Sequence, residues 1–369
     1  LADLRVIDLA TVVAGPGCAR YLADFGADVI KVERPDGGDT TRAMGWRDTD
    51  EVTFWWKLCG RGKRSVVLDL KSDEGREALH RLIDTADVLI ENFRPGKLEA
   101  LGFVPDELIA RNPALVITRV SGFGQDGPYA QRPGFATLAE AMSGFAAVNG
   151  EPDGGPLLPP IALTDEVAAL VAAFATMVAL HSGTGQVVDV NLLESMFQLM
   201  GPLFSVYAAT GELPRRLGSG IPYSVPRSTY RTSDDQWVAV STSAESVAQR
   251  VMNLVGAAGD PRFATFAGRV EHRDEVDGLV AQWIGERSLA QVLAAFEEAE
   301  AAAAPVYSMA DIADDPHYRA RGSVVDVDGV SMQGLVARLS ATPGSVSRPA
   351  PALGEHTAEV LAELDEPPA

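Results

Sequence analysis

Segments typical of strands alternate with segments typical of helices through the first half of this chain. Leu4–Leu9 is an alternating, β-branched segment, and the next strand follows at Asp28–Glu33 after a short helix that starts near Pro16. Further strands are predicted at Arg64–Leu70, Asp87–Asn92, Leu115–Val120 and Gln186–Leu192, with helices at 72–84, Pro105–Arg111, Phe135–Ala147 and Asp165–His181. Because strand–helix–strand units place parallel strands in one sheet through right-handed crossovers, the chain is predicted to be an α/β protein with a doubly wound sheet.

The run Val167–Leu180 carries no charge and almost no polar group. A helix that is apolar all round is predicted to be buried on every face. At 14 residues the run is shorter than the stretch that spans a bilayer, which needs about 20 apolar residues. Asp165 lies at its start. Thr164 or Asp165 is a candidate N-cap with Glu166 in the first turn. Asp165 is equally a candidate for a reactive carboxylate at the edge of an apolar interior.

The character of the sequence changes after Met200, where a Gly-, Pro- and Arg-rich connection leads into a second set of elements. The predicted organisation is a large domain over residues 1–212, a linker over 213–227, a small α+β domain over 228–304, and a linker with a return to the large domain over 305–369. In the small domain Leu289–Ala304 is predicted to be a helix. Strands near Val324–Val327 and Leu335–Leu339 are predicted to rejoin the large domain.

The charge of the chain excludes some partners and suggests another. With 31 basic and 51 acidic residues, the formal charge is −20, which disfavours nucleic acid and anionic membrane as partners. All lysines fall in the first hundred residues, and Lys57–Lys71 holds five basic groups against one acid. This concentration predicts a small-anion site, with random clustering of surface charge as the alternative.

The cysteines and the apolar segments bear on the compartment. Cys18 and Cys59 cannot form a disulfide framework, and neither belongs to a Cys/His cluster, so no metal site is expected. The sequence shows no basic-then-apolar leader, and we expect a soluble protein in the reducing cytoplasm.

One glycine motif has the spacing of a dinucleotide-binding site. Gly122–Gly127 matches the spacing GxGxxG after a predicted strand, but Pro128 follows and no helix opens there. A nicotinamide site is therefore disfavoured. The loop, or the glycines at 218–220, is a candidate for closing over a ligand.

A set of short motifs, in order along the chain, resembles the family III CoA-transferases. These motifs are Leu22–Glu33 (LADFGADVIKVE), Lys63-Arg64-Ser65, Glu91–Gly96 (ENFRPG), Leu101-Gly102-Phe103, Ser121–Gly124 (SGFG), Gly127-Pro128, Gly183–Gln186 (GTGQ) and Gly354–Thr357 (GEHT). The family includes formyl-CoA transferases, carnitine CoA-transferases and 2-methylacyl-CoA racemases.

The resemblance implies a Rossmann-like large domain built from both chain ends, a small inserted domain, and two chains interlocked as rings in a homodimer. It implies that acyl-CoA and a small carboxylic acid are substrates, with no tightly bound cofactor. The catalytic aspartate falls on Asp165, which would carry anhydride and CoA-thioester intermediates. Phe135 and Glu140 are assigned to the substrate pocket, and Glu140 replaces a glutamine common in the family. By motif position the CoA-binding residues are Val13, Arg34, Leu68, Leu70, Lys71, Asn92, Phe93 and Arg94.

Two other functions remain open at this point. A racemase needs an acid and a base on opposite faces of the carbon, and the racemase branch carries a histidine in a Gly-His-Asp run. The corresponding run here is Gly134-Phe135-Ala136, which moves no proton, so transfer is favoured over racemisation. A CoA-binding protein without chemistry is the alternative from another class, disfavoured because Asp165 is retained.

Overall fold

The computed structural model describes residues 1–346 and 348–365, which form two compact units. The first unit contains residues 1–144 and 159–201 and the described residues from Pro316 on. The second contains residues 145–158 and 202–315. Residues 145–158 and 202–212, which the sequence analysis placed in the large domain, thus belong to the second unit.

The strands are named in chain order. They are β1 (Arg5–Asp8), β2 (Asp28–Glu33), β3 (Lys63–Val67), β4 (Val88–Glu91), β5 (Val116–Ser121), β6 (Gln186–Asn191), β7 (Ser228–Arg231), β8 (Trp237–Ser241), β9 (Ala302–Pro305), β10 (Val324–Val327) and β11 (Val330–Gln333).

The α-helices are named in the same way. They are α1 (Ala14–Asp24), α2 (Phe54–Gly60), α3 (Asp73–Asp84), α4 (Lys97–Ala100), α5 (Pro105–Arg111), α6 (Ala136–Met142), α7 (Phe145–Val148), α8 (Leu163–Ser182), α9 (Leu192–Gln198), α10 (Leu203–Thr210), α11 (Glu245–Leu254), α12 (Phe266–Glu271), α13 (Arg273–Gly285), α14 (Leu289–Glu298), α15 (Met309–Asp314), α16 (Pro316–Arg321) and α17 (Thr357–Glu363).

The first unit is built on a parallel sheet of six strands in the order β3-β2-β1-β4-β5-β6. This confirms the predicted α/β class. The order reverses between β1 and β4, so the crossovers run in opposite directions from the middle of the sheet. In open α/β sheets, ligands bind at such a switch point, outside the carboxyl ends of the strands.

Both faces of this sheet are covered by apolar side chains, because alternate residues of a strand point to opposite faces. On β1, Val6 packs in one cluster with residues of α1 and α8. Its neighbour Ile7 packs in the other, with residues of α3 and α5. Val360 of α17 lies in that second cluster, so the end of the described chain completes the core of the first unit.

Helix α8 differs from its prediction in length and in burial. It has 20 residues, so by length and composition it could cross a membrane, a test that the core helix of a soluble protein also passes. Its small side chains are buried, but Phe174 is 72% exposed and Leu170, Val171 and Val178 are also exposed. The prediction of burial on every face is therefore wrong, because an apolar sequence does not specify what covers it.

Three other predictions are wrong in detail. The helix expected over Phe135–Ala147 is broken into α6 and α7 around Gly144, which has φ +94°. Helix α14 ends at Glu298, and the alanines that follow form β9, because pairing with β8 outweighs their helix propensity. Leu335–Leu339 is not a strand; β10 pairs with β11 in a separate two-stranded sheet.

The second unit has an antiparallel sheet in the order β7-β8-β9. Tyr230, Val238 and Val240 of this sheet pack against Ile284 of α13 and Phe296 of α14. The hairpin β7-β8 and these helices were expected from the alternation and the helical periodicity of the sequence.

Candidate active site

The residues assigned to CoA follow the carboxyl ends of four neighbouring strands. Arg34 comes directly after β2 and Asn92 directly after β4; the others are Val13 after β1, Leu68, Leu70 and Lys71 after β3, and Phe93 and Arg94 after β4. Since carboxyl ends of parallel strands share one edge of the sheet, the topology brings these positions to the edge that contains the switch point.

These side chains are not equally available to a ligand. Val13 and Leu68 are 2% and 6% exposed, so in this structure they offer a ligand mainly their backbone. Arg34, Lys71 and Arg94 are exposed, and within the described ranges no carboxylate oxygen lies within 4.0 Å of their nitrogens. These three cations at the carboxyl edge of the sheet are therefore available to bind an anion.

The basic segment Lys57–Lys71 is mostly not an anion site, contrary to the prediction from charge. Its first four basic groups pair with carboxylates of the protein: Lys57 with Asp48 and Asp50, Arg61 with Asp24, Lys63 with Asp8, and Arg64 with Asp28, Glu359 and Glu363. All of these partners lie outside the segment, and those of Arg61, Lys63 and Arg64 are far away in sequence, so a count of charge within the segment does not include them. Lys71 alone of the segment remains free of such a partner among the described residues.

Asn92 is committed to the protein backbone at the switch point. Its Oδ1 accepts from the N–H of Thr11 at 2.8 Å and its Nδ2 donates to the Thr11 carbonyl at 2.6 Å. The side chain thus joins the loop after β1 to the end of β4. Phe93 packs against the core on the β4 side.

A buried charge cluster lies behind the loop after β1, and sequence reasoning missed it. Lys31 Nζ lies 3.2 Å from Asp39 Oδ2 and 3.7 Å from Asp8 Oδ1, and Lys63 Nζ lies 2.8 Å from Asp8 Oδ2. Asp39 also accepts from the N–H of Val12 at 3.3 Å. Val12 has φ +70°, a strained conformation for a β-branched residue. A sequence signal was the presence of charged residues within two predicted strands, Lys31 in Asp28–Glu33 and Asp8 in Leu4–Leu9.

Asp165 lies in the first turn of α8, close to the start of α1. The helix begins at Leu163 and has no side-chain cap, so the N-cap interpretation of Thr164 and Asp165 is wrong. Helices α1 and α8 pack so closely that a Cβ on Gly17 would lie 2.9 Å from Cβ of Ala169. Both are crossover helices that start at the carboxyl edge of the sheet, and this puts Asp165 at the same edge as the switch point.

The electrostatics of Asp165 are unusual for a surface aspartate. Burial, then Glu140, then Glu166 raise the pKa of its carboxyl to about 6. No lysine or arginine nitrogen of the described chain lies within 4.0 Å of it. At neutral pH this carboxylate is therefore mostly ionised, although no cation of the described chain lies close enough to stabilise its charge.

Glu166 has partners that the sequence did not reveal. Its Oε2 accepts from Arg20 Nη2 at 3.1 Å and from the Tyr21 hydroxyl at 2.8 Å, both on α1. Arg20 Nε is buried without a partner in the described structure. The charge of Glu166 is therefore balanced, whereas that of Asp165 is not.

The two residues assigned to the substrate pocket lie on or beside α6. Glu140 is 4% exposed, and its Oε1 accepts from the Thr164 hydroxyl at 2.9 Å. Phe135 is 68% exposed at the start of α6. Gly134 before it touches Gly122, where an added Cβ would meet backbone at 2.5 Å, so both positions require glycine.

Three histidines of the first unit give no support to a racemase. His181 lies 16 residues along α8 from Asp165, about 24 Å at the rise of a helix. His356 Nδ1 accepts from the N–H of Ser65 within β3, and His80 stacks on Phe103. No group of metal-ligating side chains occurs within the part of the chain that is described.

Comparison with known proteins identifies the family. Residues 1–357 match the model of CoA-transferase family III. The chain is 40% identical to the succinyl-CoA–D-citramalate CoA-transferase of Chloroflexus aurantiacus, over 99% of this chain and 94% of that protein. It is 37% identical to the succinate–glutarate CoA-transferase of Agrobacterium fabrum, over 99% of this chain and 96% of that one. The crystal structure of a CaiB/BaiF family protein from Brucella suis is similar with a TM-score of 0.85 at 34% identity, over 98% of both chains. This chain is a member of the family III CoA-transferases.

Proposed function

We propose that this CoA-transferase moves CoA from a dicarboxylic acyl-CoA to a second carboxylic acid through covalent intermediates on Asp165. The observation that carries the proposal is the carboxylate of Asp165 itself. It is partly buried, has no cationic partner among the described residues, and lies at the edge where Arg34, Lys71 and Arg94 are open.

The chemistry balances without a proton donor. An Asp165 oxygen attacks the thioester carbonyl, the C–S bond breaks, and CoA leaves as thiolate, giving a mixed anhydride. The thiolate attacks the aspartyl carbonyl and releases the first acid as its carboxylate, leaving an aspartyl-CoA thioester. The acceptor carboxylate then attacks that carbonyl, CoA leaves again, and its thiolate takes the new acyl group and frees Asp165. Since carboxylates enter and leave, the reaction needs no histidine.

We place the phosphates of CoA on the exposed cations at the switch point. Arginine forks bind phosphate through two parallel hydrogen bonds. Arg34→Ala and Arg94→Ala should each raise KM for acyl-CoA about tenfold, the size expected for one charge-assisted hydrogen bond, with kcat little changed. Arg111→Ala is the matched control, because Arg111, at the end of α5, is already paired with Asp84 at the end of α3. Steady-state kinetics with unchanged KM in both variants would place CoA elsewhere.

The relatives support dicarboxylic acids as substrates. The two transferases compared above are named for succinyl-CoA, D-citramalate, succinate and glutarate. The last three are dicarboxylic acids, and succinyl-CoA is the CoA thioester of one. With succinyl-CoA as donor, we expect new acyl-CoA products from four- and five-carbon dicarboxylic acids and little from the monocarboxylic acids of the same length. Mass detection of the products decides, and preference for a monocarboxylic acid would contradict this assignment.

We also propose that two copies form an interlocked dimer and that the protein acts in the cytoplasm. The exposed apolar side chains of α8 need a cover, and the same surface on a second copy is apolar in the same way. The free, buried thiols of Cys18 and Cys59 fit a reducing compartment. Sedimentation should give twice the chain mass of 39.1 kDa; a monomer at micromolar concentration would rule out the dimer.

A further inference from the structure

Glu140 is a buried carboxylate that accepts a hydrogen bond from a neutral side chain. It is 4% exposed, and Thr164, the residue before Asp165, donates its hydroxyl proton to Glu140 Oε1. Within residues 1–346 and 348–365, no arginine or lysine nitrogen lies within 4.0 Å of it. A buried carboxylate without a counter-charge raises the free energy of any second negative charge nearby.

The other charged groups around the start of α8 do not do this. On α1, Arg20 and Tyr21 are directed at Glu166 and neutralise it. On α9, which also packs on α6 and α8, Glu194 is exposed. Glu140 is accordingly the neighbour with the largest effect on Asp165, ahead of Glu166.

We propose that Glu140 is a positioning residue whose buried charge destabilises the free Asp165 carboxylate and thereby favours the neutral covalent CoA adduct on that side chain. This inference rests on the proposed function and deepens it. It assigns a role to a residue that the sequence analysis placed in the substrate pocket.

Adduct formation and protonation at Asp165 are thermodynamically linked. In the net half-reaction, ionised Asp165 and acyl-CoA give the aspartyl-CoA thioester and a free carboxylate: a C–S bond breaks in the substrate, another forms on Asp165, and one oxygen of Asp165 leaves with the released acid. The negative charge thus moves from Asp165 into solution. Protonation also removes the charge from Asp165. A neighbouring charge should therefore change the equilibrium constant for adduct formation and the acid dissociation constant of Asp165 by about the same factor.

Glu140→Gln removes the charge and keeps an oxygen that accepts from Thr164. We expect the acidic limb of kcat/KM, near pH 6 in the native enzyme, to move about one unit lower, as for the loss of one nearby like charge. The equilibrium constant for adduct formation, titrated with succinyl-CoA against succinate and measured by intact-protein mass after acid quench, should fall about tenfold.

The outcomes separate this inference from the proposed function. Glu194→Gln makes the same change of charge on an exposed residue and should move neither quantity. If Glu140→Gln leaves both the limb and the equilibrium constant unchanged, or moves the limb alone, Glu140 has no such role. If the native enzyme forms no CoA adduct on Asp165 at all, the proposed function fails first.

Discussion

Asp165→Asn is expected to lose CoA transfer by about a thousandfold or more, as when a covalent nucleophile is removed. The amide is a poor nucleophile toward a thioester and cannot form the anhydride. Incubation of the native enzyme with succinyl-CoA and hydroxylamine should give a hydroxamate at position 165, located by peptide mass. The variant should give none.

The same variant should be more stable than the native enzyme. The pKa of Asp165 is raised from 3.8 to about 6 in the folded state. Between these values the folded state binds more protons than the unfolded state, so the ionised carboxylate reduces the free energy of unfolding as pH rises. At pH 7.5 the amide should therefore add about 1–2 kcal/mol, after allowance for the partial exposure of the group. The gain should vanish below about pH 4.

A comparison with Glu166→Gln completes this test. Glu166 shares the first turn of α8, but its charge is held by Arg20 and Tyr21. Its amide variant should still form the adduct and should lose stability. Transfer by Asp165→Asn at a tenth of the native rate would show that the covalent route is not required.

The sequence predicted the parts of the structure that depend on local pattern. The alternation of elements predicted the parallel sheet, and the apolar run Val167–Leu180 predicted a helix with Asp165 at its start. The rest depended on contacts between distant residues. Thr164 was one of two candidates for the N-cap of α8, but its hydroxyl donates to Glu140, 24 residues away. Arg64 was counted as a free cation, but it pairs with Glu363 near the other end of the chain.

The burial of α8 is a second property that the sequence pattern did not predict. The period of apolar residues indicates which face of a helix packs on the core. A helix that has no polar face gives no such indication. The structure shows that alanines face α1 and the sheet, whereas Phe174 and its neighbours face outward. The size of the side chains distinguishes the two faces of α8, because the small residues lie on the closely packed side.

Lys31→Met is expected to reduce the free energy of unfolding by about 3–5 kcal/mol, the cost of leaving a buried charge without its partner. Lys31 and Lys63 face Asp8 and Asp39 in a cluster that is almost completely buried. Burial by itself lowers the pKa of Lys31, but Asp8 and then Asp39 outweigh it, and the net pKa is above the ordinary value. Methionine leaves the cluster with one excess negative charge.

The pH dependence and a second variant test this origin. Burial raises the pKa of Asp39, but Lys31 and the hydrogen bonds from Thr41 lower it by more than burial raises it. The net pKa of Asp39 therefore lies below the ordinary value. Its contribution to stability is present above that ordinary value and is lost as pH falls toward the folded pKa. The deficit of Lys31→Met in urea titrations should thus be greatest near pH 7 and shrink in acid. Adding Asp39→Asn should recover part of it, whereas Lys97→Met on an exposed lysine should change stability by less than about 0.5 kcal/mol.

Lys31→Met should also affect substrate binding, because Asp39 accepts from the N–H of Val12 and so helps to hold Val12 in its strained conformation. Such strain costs about 1–3 kcal/mol and persists only while the surroundings enforce it. Without Lys31 the carboxylate is driven toward water or protonation, and the loop from Val12 into α1 can relax. We therefore expect KM for acyl-CoA to rise in Lys31→Met even at temperatures where the protein is fully folded. A folded variant with native KM would show that the cluster supports the fold alone.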